Sequence, residues 1–335
     1  MLRRLSMGPF ANLAAARDFK FRAEGSLGEV ALTASGHVDS LAAPVNTQVS
    51  LSLQAPDVAY LASRLGLRDL GSGPMALRLS IAPVPAGAGA GVQGHASGQV
   101  GEFEVTAQGS LVVENGGNRV AVQAQLAGPD LSRVAGLAGV KGLPAESFRL
   151  QLDMERAVDA IRIQRAVLDL ADGRVSLSGF LGPGGGLAGS ELAFTVTTPD
   201  IAKLEKRLGV ATAASGPFDA AGTVHQSKAA GTTLEFNGTT GLGKFSLVGP
   251  VGTAPDFYGT RLAVEASGAD FAPLGQALKL PDPPRGPFKG QGKIEWSRAG
   301  LVLRSASLAA GGETVAIAGS LGRPAFAPGD RKSVV

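Results

Sequence analysis

Few side chains in this sequence are placed to do chemistry. The three histidines, His37, His95 and His225, share no spacing. None has the His-x-x-x-His or Glu-x-x-His companion of a metal site, and all three read as surface or strand-edge residues. Cysteine is absent, which removes disulfides, thiol nucleophiles and thiolate metal sites. Gly184-Gly185-Gly186 after Pro183 invites a phosphate-loop reading, but it lacks the Gly-Lys-Ser/Thr ending and joins one strand to another. It reads as a hairpin loop, and Gly87–Gly94 and Asn115–Asn118 read as loops of the same class. Lys203, Lys206 and Arg207 make a local basic face. That face reads as solvated surface, with lipid-headgroup contact as the functional alternative. No nucleophile–base set, metal cluster or cofactor motif stands out. The expectation is a protein that is not an enzyme, with no catalytic, cofactor-binding or metal-binding residues.

The acids that do recur point to structure. Asp57, Asp130, Asp200 and Asp270 lie 73, 70 and 70 residues apart, and each opens a short apolar segment. A carboxylate in that position accepts the free N–H groups of a first helical turn, so each reads as an N-cap. Apolar residues follow at one and four positions on: Val58 and Leu61, Leu131 and Val134, Ile201 and Leu204, Phe271 and Leu274. Leu65, Leu208 and Leu278 extend the stripe in three copies, and the second has Leu137 and Ala138 there. This is the buried face of a helix of two to three turns. Pro273 falls in a first turn, where its missing N–H is tolerated.

A second mark repeats in step with the first. Strands read as ending in Gly36, Gly109, Gly179, Gly249 and Gly319, which are 73, 70, 70 and 70 residues apart. Two independent marks with one spacing indicate a tandem repeat of about 70 residues. Eighteen residues after each aspartate a strand opens on a large apolar residue, Met75, Phe148, Phe218 or Phe288. Gly73-Pro74, Gly216-Pro217 and Gly286-Pro287 precede three of these. Apolar residues then alternate with period two, which gives each sheet one apolar and one polar face. The repeat holds about four antiparallel strands and one small helix. The divisions are 1–54, a partial repeat without its helix in which Gly8-Pro9-Phe10 echoes the strand start, then 55–127, 128–197, 198–267 and 268–335, where the array is cut short.

Composition narrows the partners. The 31 basic and 28 acidic residues give a net charge of only +3, with no basic stripe interleaved with aromatics, so nucleic acid is not expected. No run approaches 18 apolar residues, so no transmembrane helix is expected in the sequence. The start, Met1-Leu2-Arg3-Arg4-Leu5, has no apolar core of signal-peptide kind. The chain reads as a piece of a longer array.

The Pro-Asp-apolar helix start, the Gly-Pro-Phe strand start and the closing strand-Gly-x-Leu resemble the periplasmic repeats of the AsmA-like family, from about Gly8 to Leu321. That family belongs with the bridge-like lipid transfer proteins of Gram-negative envelopes. The resemblance implies a mainly β fold with short helices, an elongated twisted antiparallel sheet curled into a groove (a β-taco). It also implies a periplasmic location, with an inner-membrane anchor that is not in this chain. Expected partners are phospholipid or another envelope lipid, the inner and outer membranes through segments lying elsewhere, and other envelope proteins. A sheet with one apolar face must cover it, and one short helix per four strands covers only part. Candidate groove residues are Met75, Leu77 and Leu79, then Phe148, Leu150 and Leu152. In the second half of the chain they are Leu177, Phe218, Leu234, Phe236, Leu247, Phe288, Ile294 and Trp296. The alternative is a structural or adhesive β-rich scaffold with a solid core and no ligand.

Overall fold

The computed structural model describes residues 2–8, 17–40, 46–59, 72–85, 89–114, 117–137, 143, 145–157, 160–182, 188–203, 215–227, 231–253, 257–277, 281–298 and 300–321. The chain is mainly β and antiparallel, and it divides into two compact units, Met1–Ala171 and Asp172–Val335. The first unit holds β1 (Leu2–Gly8), β2 (Arg17–Leu27), β3 (Val30–Ser40), β4 (Gln48–Ala55), β5 (Met75–Pro83) and β6 (Ala90–Val100). It continues through β7 (Phe103–Glu114), β8 (Gly117–Gly128), helix α1 (Leu131–Leu137), β9 (Phe148–Ala157) and β10 (Ala160–Leu170). Each strand pairs antiparallel with the next, so the unit is an open meander.

The second unit is also an antiparallel meander. Its elements are β11 (Gly173–Leu181), β12 (Glu191–Thr198), β13 (Phe218–Ser227), β14 (Gly231–Thr240), β15 (Gly243–Val251) and β16 (Arg261–Gly268). Helix α2 (Ala272–Ala277), β17 (Phe288–Ser297), β18 (Gly300–Ala310) and β19 (Glu313–Leu321) follow. Again each strand pairs antiparallel with its successor.

Directly opposed residues in antiparallel strands share a face, so the register sorts the side chains. Leu51, Leu79, Ala96, Ala107, Ala124 and Leu152 form one row across β4 to β9. Ser80, His95, Gln108, Gln123, Asp153 and Arg165 form the neighbouring row on the opposite face. The alternation of the sequence thus becomes one apolar and one polar face in this unit.

The glycines at 36, 109, 179 and 249 do not end strands, as the sequence suggested. Each lies inside one, in β3, β7, β11 and β15. The reason they are glycine is local. A Cβ would lie 2.4 Å from the Gln48 carbonyl at Gly36, 3.1 Å from Ala121 at Gly109, 2.1 Å from Glu191 at Gly179 and 2.2 Å from Arg261 at Gly249. In every case the obstructing carbonyl is twelve residues on, in the next strand. Gly179 also has φ +134°, a conformation that L side chains rarely adopt. Gly179→Ala is therefore expected to cost about 1–3 kcal/mol, read as a lowered denaturant midpoint. An unchanged midpoint would mean the strand can relax away from the carbonyl.

The loop readings need similar correction. Gly91 and Gly94 lie in β6 and Asn118 lies in β8, because pairing with β7 extends both strands beyond their turns. His37 sits within β3, not beyond its end, and its Nε2 is 2.6 Å from the Asp18 carboxylate. Residues 9–16, 183–187 and 206–207, which include Pro9 and Phe10 of the expected Gly-Pro-Phe start, the triple-glycine loop and two of the basic residues, lie outside the described residues.

Candidate functional site

The strand starts fall where the spacing placed them: β5, β9, β13 and β17 open on Met75, Phe148, Phe218 and Phe288. The aspartates also take the expected role. Asp57, Asp130, Asp200 and Asp270 each accept the N–H of the residue two positions on, at 2.9, 2.9, 3.1 and 3.1 Å. Three of these carboxylates do a second job that spacing did not reveal. The same Oδ1 accepts the N–H of Gly73, Gly216 or Gly286, at 3.0, 3.2 and 3.0 Å. One oxygen therefore closes a segment of sixteen residues, helix start to strand lead-in, like a clasp. The backbone doubles it: Val58, Ile201 and Phe271 donate to the Gly73, Gly216 and Gly286 carbonyls. These glycines have φ of +119°, +89° and +108°, which is why the position ahead of the proline is glycine. The recurrent Gly-Pro sixteen residues after the aspartate was the signal available.

Sixteen residues after Asp130 stands Glu146, and Asp130 is secured otherwise. Leu131 still donates to the Glu146 carbonyl. The Ser132 hydroxyl donates to Asp130, and the Arg133 guanidinium lies 3.2 Å from Asp130 and 3.2 Å from Glu102. The Ser132 hydroxyl, with backbone N–H groups and Arg133, holds the Asp130 carboxyl below the ordinary carboxylate range. Lys203 pairs with Asp172 in the corresponding arrangement seventy residues on, at 3.7 Å.

The helix starts cover one end of the strands. Val58 packs with Val30, Ala55 and Met75; Leu131 with Phe103 and Phe148; Phe271 with Phe288 and Ala310. Met75, Phe148 and Phe288 are consequently buried, and these three groove candidates are packing residues beneath the helix starts. Along β5 the exposure rises from 3 % at Met75 to 37 % at Leu79 and 41 % at Ile81. Along β5 the apolar face is thus closed at the helix end and open at the far end.

The open part has a built shape. Gly94 pairs with Gly109 and Ala96 with Ala107, making a floor of small residues across β6 and β7. Leu79 and Ile81 of β5, with Val49 and Leu51 of β4, rise on one side; Val120 and Val122 of β8 rise on the other. Together they line a cavity of about 430 Å³. Ser80, His95 and Gln108 also border it, through backbone, because their side chains belong to the opposite face.

No family model, no curated protein and no solved structure matches this chain.

Leu77 and Leu150 border the helix-end clusters, while Leu152 continues the open row of Leu79. In the second unit Leu177, Phe236 and Leu247 share one row of a single face with Phe194, and Leu234 and Phe218 lie on that same face. Phe194 and Phe236 stack at 5.6 Å over Gly222, and Phe245 meets Phe236 at 5.5 Å and Phe218 at 5.8 Å. A Cβ on Gly222 would lie 2.7 Å from the Phe194 ring, so glycine makes room for the rings. Ile294 and Trp296 continue that face in β17, opposite Leu303 and Leu301.

The opposite face carries polar contacts. Gln108 donates to Gln123 at 2.5 Å, and Gln123 donates to Asp153 at 3.1 Å. His95 and His225 lie exposed on polar faces. Among the described residues no group of three His, Asp or Glu side chains converges as metal ligands, and no helix is long and apolar enough to cross a membrane.

Proposed function

We propose that this chain is a periplasmic repeat segment of an AsmA-like envelope protein that binds or conducts phospholipid along its apolar sheet face, in outer-membrane assembly or homeostasis. The observation that carries the reading is the open cavity between Leu79, Ile81 and Val122, floored by Gly94 and Gly109. Its volume of about 430 Å³ falls within the usual range of ligand pockets. Every side chain turned into it is aliphatic or absent, which suits an acyl chain and offers nothing to a charged or sugar-like ligand. A solid core would bury mid-strand leucines, whereas Leu79 and Ile81 stay more than a third exposed.

On this reading the four capping aspartates mark tandem units of about 70 residues at 55–127, 128–197, 198–267 and 268–335, of which the first three each add four strands to a β-taco. An inner-membrane anchor, contacts with the outer membrane and other envelope proteins would come from segments elsewhere in the full protein. Native mass spectrometry with lipid extraction of the same sample tests it. Phospholipid is expected to co-purify with the chain. A folded, lipid-free protein that gains no stability from added phospholipid favours the solid scaffold instead.

A further inference from the structure

We infer that the Asp270 clasp is an acid-released joint: protonating its carboxylate frees helix α2 from the end of the sheet while β17 and its neighbours stay paired. The geometry is specific. A single oxygen of Asp270 accepts N–H groups from Ala272, in α2, and from Gly286, in the lead-in to β17. Each of these is stronger to a carboxylate than to a neutral acid. Among the described residues, the other backbone ties outside regular helix and strand pairing are Phe271 N–H to the Gly286 carbonyl and Gly275 N–H to the Phe271 carbonyl. Sheet pairing of β17 with β16 and β18 involves none of these groups.

The charged group facing Asp270 from the packed lead-in is Arg285; α2 itself carries no acidic residue in its first turn and no basic residue in its last. The two backbone N–H bonds, followed by Arg285, hold the carboxyl below its ordinary value of 3.8. A depressed carboxylate stabilises the fold above its unfolded pKa and loses that contribution as pH falls through the folded one. Release therefore belongs below about pH 4. It uncovers Phe271 and Phe288, whose rings otherwise meet edge-on at 5.7 Å.

Hydrogen exchange on the whole chain, corrected for intrinsic rates, tests this at pH 6 and pH 3. In wild type, protection of peptides covering 270–277 and 281–287 is expected to fall severalfold at pH 3, with 288–297 still protected. Asp270→Asn offers the same two N–H groups a neutral acceptor, as the protonated acid does, and is expected to show the lowered pH 3 level of protection at both pH values. Asp270→Ala is expected to be unprotected at both. The inference is overturned if Asp270→Asn loses protection in step with wild type, or if 288–297 opens together with α2. The wild-type and Asn pair suffices should the Ala variant fail to fold.

Discussion

Leu79→Asp is expected to fold like wild type and to lose the lipid that co-purifies with it. Leu79 is 37 % exposed and stands in the open row of the apolar face, so in the free protein the new carboxylate is hydrated. The cost to stability is expected to stay near 1 kcal/mol, mostly lost β-preference. With an acyl chain in the cavity, that carboxylate must give up water with no donor to replace it. Val49, Leu51, Ile81 and Val122 supply only hydrocarbon around it. Effective desolvation costs of several kcal/mol follow, and about 3 kcal/mol already means a hundredfold loss of affinity. Ser80→Asp is the matched control, one residue away on the polar face beside His95. It is expected to retain lipid. Native mass spectra of the two variants decide the matter: equal lipid occupancy in both would remove the apolar face as the binding surface.

What could be read from the sequence and what could not divide along a physical line. Local rules located the strand starts at Met75, Phe148, Phe218 and Phe288 and the caps at the four aspartates, because periodicity and capping act over a few residues. The recurrent glycines read in sequence as strand ends, yet they lie inside strands. Their cause is a carbonyl on the neighbouring strand, such as Glu191 opposite Gly179, and register is not written in one strand alone. The clasp joins residues sixteen apart, so local pattern shows the aspartate and the Gly-Pro but not the bond between them. The alternation also treats all apolar positions alike. Met75 and Leu79 occupy equivalent places in one pattern, yet one lies under a helix start and the other is open. Which of them can meet a ligand depends on where the helix start lands, a tertiary fact.

That distinction makes a second large effect predictable. Phe148→Ala is expected to cost about 3–5 kcal/mol, seen as a lowered denaturant midpoint. Phe148 is 5 % exposed, pairs with Leu170 of β10 and lies 6.4 Å from the Phe103 ring. Leu131 of α1 closes over both. Deleting the ring leaves a cavity between helix and sheet, and the Leu131–Glu146 backbone bond limits how far α1 can collapse into it. Phe148→Leu refills most of the volume and is expected to recover more than half of the loss. If Phe148 lined a lipid surface, the truncation would instead lower lipid occupancy and leave the midpoint nearly unmoved, since an exposed ring contributes little to folding. The two variants thus pull apart on two axes. Leu79→Asp is expected to change occupancy without stability, and Phe148→Ala stability without occupancy, although both side chains belong to one apolar face. A result in which both variants lost stability alike would mean that the face is covered along its whole length, as in a scaffold with a solid core.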